Sequence, residues 1–136
     1  ARGTDYAEYE YKNATCGTIA KGQVIGFDVD GLLTDKWSQA ISFGIKSTEP
    51  AYVGGDQWDE QDRQSVDRIA YSGKVPVNVM YCEPGDYIVP MEGADDQIEA
   101  EPVLAETMTF ELYRKAVGRV RSVLPDGRAL VAVIVH

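Results

Sequence analysis

Histidine is almost missing from this 136-residue chain, which has only His136. Cysteine is nearly as scarce, with Cys16 and Cys82 and no Cys-x-x-Cys spacing. A zinc site of the usual Cys/His kind is therefore excluded. Two cysteines allow at most one disulfide and no disulfide framework. The residue type favours two reduced, partly buried thiols. No apolar run approaches the ~20 residues of a membrane helix, and no signal peptide is visible. Positive charge is also short: 13 Lys and Arg stand against 22 Asp and Glu, a net charge of -9. Nucleic acid, which needs a basic face, and an anionic membrane surface are both poor partners for such a chain. Like-charged copies repel one another. A self-interface would have to bury apolar area or neutralise carboxylates. The opening Ala1-Arg2-Gly3, with no initiating Met, reads as a fragment of something longer or as a processed product.

The apolar share is 44%, enough for one domain, residues 1–136, around a single core. Strand signals dominate. Residues 6–11 alternate in part, residues 23–28 are apolar ahead of an Asp30-Gly31 turn, and residues 40–46 and 51–53 are separated by Glu49-Pro50. Residues 56–67 are polar and charged and read as a loop or short helix. Short runs at 68–71, 75–80 and 87–89 are punctuated by Ser72-Gly73 and Glu83-Pro84-Gly85. Pro76 inside its run marks an edge strand. Residues 93–97 form an acidic turn, and residues 107–117 are the one helix candidate. The last hairpin is the clearest, with Pro125-Asp126-Gly127-Arg128 between residues 117–124 and 129–135. The expected fold is mainly β: a compact antiparallel barrel or sandwich with one short helix near 107–117.

Several local patterns have a plain structural reading beside a chemical one. Residues 24–35 resemble the first motif of haloacid-dehalogenase-type phosphatases, in which one Asp (here Asp28) is the nucleophile and a second (Asp30) the acid/base beside Mg²⁺. Leu32 replaces that family's usual Thr, and Lys74 and Asp95-Asp96 fit the later roles poorly. The crossover helices of a parallel sheet are missing, so a hairpin with Asp-Gly at its tip is the better reading. Asn13-Ala14-Thr15 matches a glycosylation sequon, a triplet common by chance. Asp56, Asp59, Glu60 and Asp62 offer oxygen ligands but read as a solvated loop. The eight tyrosines suit a sheet surface or an interface, where an apolar ring with a polar tip is useful.

Several segments in order resemble one family. Asp5-Tyr6-Ala7-Glu8-Tyr9 is similar to the opening of the intramolecular-chaperone autoproteolytic domain at the C-termini of bacteriophage tailspikes and neck appendages. Residues 43–55, with Gly44-Ile45-Lys46-Ser47 and Val53-Gly54-Gly55, resemble a second segment of that family. Ser72-Gly73-Lys74-Val75-Pro76-Val77 and Pro84-Gly85-Asp86-Tyr87-Ile88-Val89-Pro90 resemble two more. Val117-Gly118-Arg119-Val120 and Val131-Ala132-Val133 complete the order. The resemblance implies a homotrimer that helps an upstream β-helical portion of the same polypeptide to fold, in a virion-associated precursor in the host cytoplasm. The domain is then released by its own cleavage, an endopeptidase acting once, in cis or across the trimer. The implied cut lies between Thr4 and Asp5 in a cleavage-site strand, residues 1–11. No cofactor, metal, nucleic acid or membrane is implied.

Residue chemistry at this point supplies three candidate catalytic groups. Thr4 offers a hydroxyl beside the scissile bond for an N-to-O acyl shift, though β-branching restricts its rotamer. Glu8 is the candidate general base or water activator. Asp5 is the candidate acid or positioning group, its pKa moved apart from that of Glu8 by crowding. On a flat strand, residues three apart point to opposite faces. Asp5 and Glu8 can therefore meet only through a bulge, a turn or a neighbouring subunit. A non-catalytic trimeric capping or adhesion module of a fibre is the alternative.

Overall fold

The computed structural model describes residues 4–48, 52–54 and 65–136. Its longest strand, β6 (Val66–Val77), organises the rest. Ser72 and Gly73 do not break it, because both are paired to a neighbouring strand, with Tyr6 and Asp5. Gly73 holds φ of 90°, a conformation open to glycine at little cost. Tertiary pairing here overrides the local turn signal, and two expected short strands become one.

β1 (Thr4–Tyr11) lies antiparallel to β6, and β5 (Tyr52–Gly54) adds in parallel to its other edge. β2 (Val24–Phe27), β3 (Leu33–Thr34) and β4 (Ser42–Lys46) form an antiparallel group ordered β3-β2-β4. β7 (Tyr87–Glu92), β8 (Ile98–Val103), β9 (Gly118–Val123) and β10 (Ala129–Val133) complete one sheet, ten-stranded among the described residues. Its main path is β3-β2-β4-β6-β10-β9-β7-β8. Ala70 pairs with both Ala7 and Ile45, and Lys74 with both Thr4 and Ala132. β4 and β10 therefore meet β6 on the edge opposite β1, end to end, and separate between residues 70 and 74. The result is a curled half-barrel. Two apolar clusters fill it, one around Ile45, Val75, Ile88, Val120 and Val131, the other of Ile19, Ile25, Leu33 and Ile69.

The mainly β, antiparallel expectation holds, with a half-barrel as its form. The helix is shorter than the 107–117 span expected: α1 is Phe110–Tyr113, capped by the Thr109 hydroxyl, which accepts the Leu112 N–H at 3.2 Å. Ala116 and Val117 are buried instead, and the Val117 N–H donates to the Ile88 carbonyl. Packing against β7 takes them out of the helix. β8 was not anticipated, although Ile98 is buried while Glu99 and Glu101 are exposed, the period of a half-buried strand. Among the described residues, β1 pairs with β6 as far as Lys74, and Pro76 pairs only with Leu130. Pro90 pairs only with Ala100 of β8, since β9 reaches no further than Ile88. Both prolines sit where the strand has one described neighbour, which suits a missing N–H.

Candidate functional site

The four residues from Asp5 to Glu8 alternate strictly. Asp5 and Ala7 are buried, while Tyr6 and Glu8 are half-buried on the other face. The Tyr6 hydroxyl donates to Glu8 Oε2 at 2.7 Å, which fixes both on one face. A bulge does lie at this level, between Tyr6 and Ala7 in the β1–β6 register. The extra residue, however, is Tyr71 on β6, so β1 keeps its alternation. Asp5 and Glu8 are consequently not brought together within one chain. The Tyr71 hydroxyl reaches across to Glu10 Oε2. Burial, then the Glu10 carboxylate beside it, push the Tyr71 phenol far up, so it remains a proton donor.

Asp5 is 2% exposed. Ser47, just past the end of β4, donates its hydroxyl to Asp5 Oδ2 at 2.8 Å. Ser47 is itself buried, and its N–H is tied to the Arg68 carbonyl. Among the described residues, Asp5 Oδ1 is buried with no hydrogen-bond partner, and so is the Thr48 hydroxyl oxygen. Burial pushes the Asp5 carboxyl up, against the Ser47 hydrogen bond and the Arg68 charge, which pull it down. A half-satisfied, enclosed carboxyl is a costly arrangement that calls for an explanation. Ser47 was not singled out from sequence, although it stands in the Gly44-Ile45-Lys46-Ser47 segment.

Thr4 opens β1, with its backbone directly across from Lys74 of β6. Lys74 is exposed. Its adjacency to the Thr4–Asp5 bond was invisible in the sequence, where 70 residues separate the two. β5 pairs only with Tyr6, Ala7 and Glu8. Among the described residues, the edge of β1 at Thr4 and Asp5 opposite β6 carries no strand. The register thus places a lysine across from the bond.

The segment around Asp28 and Asp30 is a hairpin, the reading preferred over the phosphatase-like motif. β2 turns back at once into antiparallel β3, with Gly31 at φ of 77°. Asp28 Oδ1 accepts the N–H groups of Asp30 and Leu32, and Oδ2 accepts the Asn13 amide at 3.1 Å. Bonds from Leu32 and Asn13 hold its carboxyl below the usual range. Asp28 is the staple of a turn. Asn13 is committed to the same knot, also bonding Gln39 and Thr15. Asp96 accepts the Ser38 N–H at 2.9 Å and so pins the acidic turn to the β3–β4 connection. Asp56, Asp59, Glu60 and Asp62 lie outside the described residues. Cys16 and Cys82 are free thiols, both pushed up by burial. Among the described residues, no helix is long and apolar enough to cross a membrane. No protein family, curated protein or solved structure matches the chain.

Proposed function

We propose that the chain is an intramolecular chaperone that assembles as a homotrimer, assists an upstream β-helical portion of its own polypeptide and is released by hydrolysis of the Thr4–Asp5 bond. The observation that carries this reading is the Asp5 carboxyl. It is enclosed, half-satisfied and adjacent to the bond in question, and ionisable groups in such environments concentrate at functional sites. The ordered segments that resemble the tailspike chaperone family supply the direction.

The geometry favours water over the Thr4 hydroxyl as nucleophile. Attack of Thr4 Oγ on its own carbonyl would close a strained four-membered ring. In hydrolysis the water oxygen bonds to the Thr4 carbonyl carbon while Glu8 takes the water proton. The C–N bond then breaks, and the proton passes to the Asp5 nitrogen. Lys74, across from Thr4, supplies positive charge for the oxyanion. Asp5, held from within by Ser47, positions the strand. Thr4 and Glu8 are four residues apart, about 13 Å along an extended strand. Proton transfer needs about 3 Å, directly or through one water. The working Glu8 is therefore one donated by a neighbouring subunit.

Expression with the upstream portion tests this. Wild type should yield a trimer and a fragment beginning at Asp5, Glu8→Ala should stay full-length, and Thr4→Ala should still be cut. Loss of cleavage in Thr4→Ala would return the hydroxyl to the mechanism. A wild-type chain that stays intact and monomeric would end the proposal. The opposite facing of Asp5 and Glu8 favours one second reading, a non-catalytic trimeric cap, for which the outcome is an intact trimer.

A further inference from the structure

Where β4 and β10 separate along β6 there is a cleft of about 410 Å³. That volume lies within the range of small-ligand pockets, roughly 300–1,000 Å³. Phe27 and Phe43 form one wall, Ile69 and Tyr71 the floor, and Val117 and Val133 the other wall. Ile41 and Val135 stand at the lip, 66% and 57% exposed. Large aliphatic side chains left in water at the mouth of an apolar cleft leave burial for a ligand to complete.

The charged groups at the cleft differ in how far they are committed. Asp28 stays anionic, with both carboxylate oxygens engaged by the N–H groups of the β2–β3 turn and of Asn13. His136 Nε2 lies 3.0 Å from the Ala116 carbonyl oxygen, and its ring packs edge-on against Tyr113. Arg114 and Lys115, at the end of α1, remain. Lys115 Nζ sits 5.3 Å from the Trp37 ring centroid. Neither cation is in an ion pair among the described residues, in a chain with 22 acidic side chains. Two adjacent, unneutralised cations on so acidic a molecule make a local site for an anion. Joined to the apolar walls, they define the chemistry of the occupant.

We propose that this cleft binds a small amphipathic carboxylate, its hydrocarbon body against Phe27, Phe43 and Val133 and its carboxylate at Arg114 and Lys115. The proposal is independent of cleavage at Thr4–Asp5. Calorimetric titration of the intact chain with octanoate, octanol and octylammonium tests it. Octanoate should bind saturably, one per chain, and about tenfold or more tighter than either analogue. The Arg114→Ala/Lys115→Ala double variant changes two side chains outside the core, so its thermal midpoint should stay near that of wild type. Its octanoate affinity should fall by about tenfold, with octanol binding unchanged. No saturable octanoate binding, equal affinity for octanoate and octanol, or an undiminished double variant would each overturn the proposal. A double variant that changes molar mass in solution and leaves octanoate affinity alone would assign the cleft to a second copy, and would overturn it too.

Discussion

A carboxyl group as enclosed as that of Asp5 loads the folded state whenever it is ionised. Its pKa is raised above the unfolded value by burial, so the folded chain holds the proton more tightly than the unfolded one. Stability therefore falls as pH rises through the interval between the ordinary carboxylate value and the raised one. Asp5→Asn should raise the urea midpoint at pH 7, and the advantage should close as pH drops to about 4, near the unfolded carboxylate value. A constant difference across that range would mean that ionisation is not what Asp5 costs. Ser47→Ala acts in the other direction: it strips the Ser47 hydrogen bond from a buried carboxyl and should cost about 1–3 kcal/mol. The two carboxylates of the motif, Asp5 and Glu8, were legible as residue types, and period-two alternation already set them on opposite faces. Their partners were not legible. Ser47, the partner of Asp5, lies 42 residues on, and Lys74, across from Thr4, lies 70 residues on; only the register decides which residues meet.

At the scale of elements, hairpins were legible and long-range pairings were not. Pro125-Asp126-Gly127-Arg128 forms the expected turn, with Gly127 at φ of 92° and Asp126 accepting the Arg128 N–H at 3.0 Å. By contrast, β6 looked like two strands because Ser72-Gly73 is a turn signal until β1 is laid beside it. β8 was hidden by its glutamates, although an edge strand can hold carboxylates on its wet face. The β9–β10 ladder has a further constraint that composition cannot reveal. A Cβ on Gly118 would lie 2.8 Å from the Ala132 carbonyl oxygen and collide with Val131 Cγ1. Val131 is buried and Ala132 O is backbone, so neither gives way cheaply. Gly118→Ala should destabilise the fold by about 1–3 kcal/mol, the range for overpacking a filled core. The increase in unfolding should be visible in a denaturant titration with an unchanged slope. An unchanged midpoint would mean that β9 can shift along β10, against the pairing observed.

The whole molecule poses the question of where the second half of the proposed cleavage site comes from. Within one chain, strand geometry separates Glu8 from the Thr4–Asp5 bond by about 13 Å, while the edge of β1 beside that bond carries no described strand. If Glu8 is donated across an interface, the chain that loses Glu8 is not the chain that fails to be cut. Co-expression of wild type with a tagged Glu8→Ala chain, both carrying the upstream portion, separates the two cases. With donation by a neighbour, the cleaved fraction of tagged chains should track the wild-type share of the mixture. Wild-type chains should become correspondingly protected as the variant is added. With Glu8 acting on its own strand, tagged chains would stay intact at every ratio and wild-type chains would be cut in full. Cleavage of neither chain at any ratio, in a mixture that is trimeric throughout, would leave the capping module as the reading. Donation between subunits would also account for the acidity of β1. A carboxylate that works only on a neighbour leaves the isolated chain uncut, so release waits on assembly.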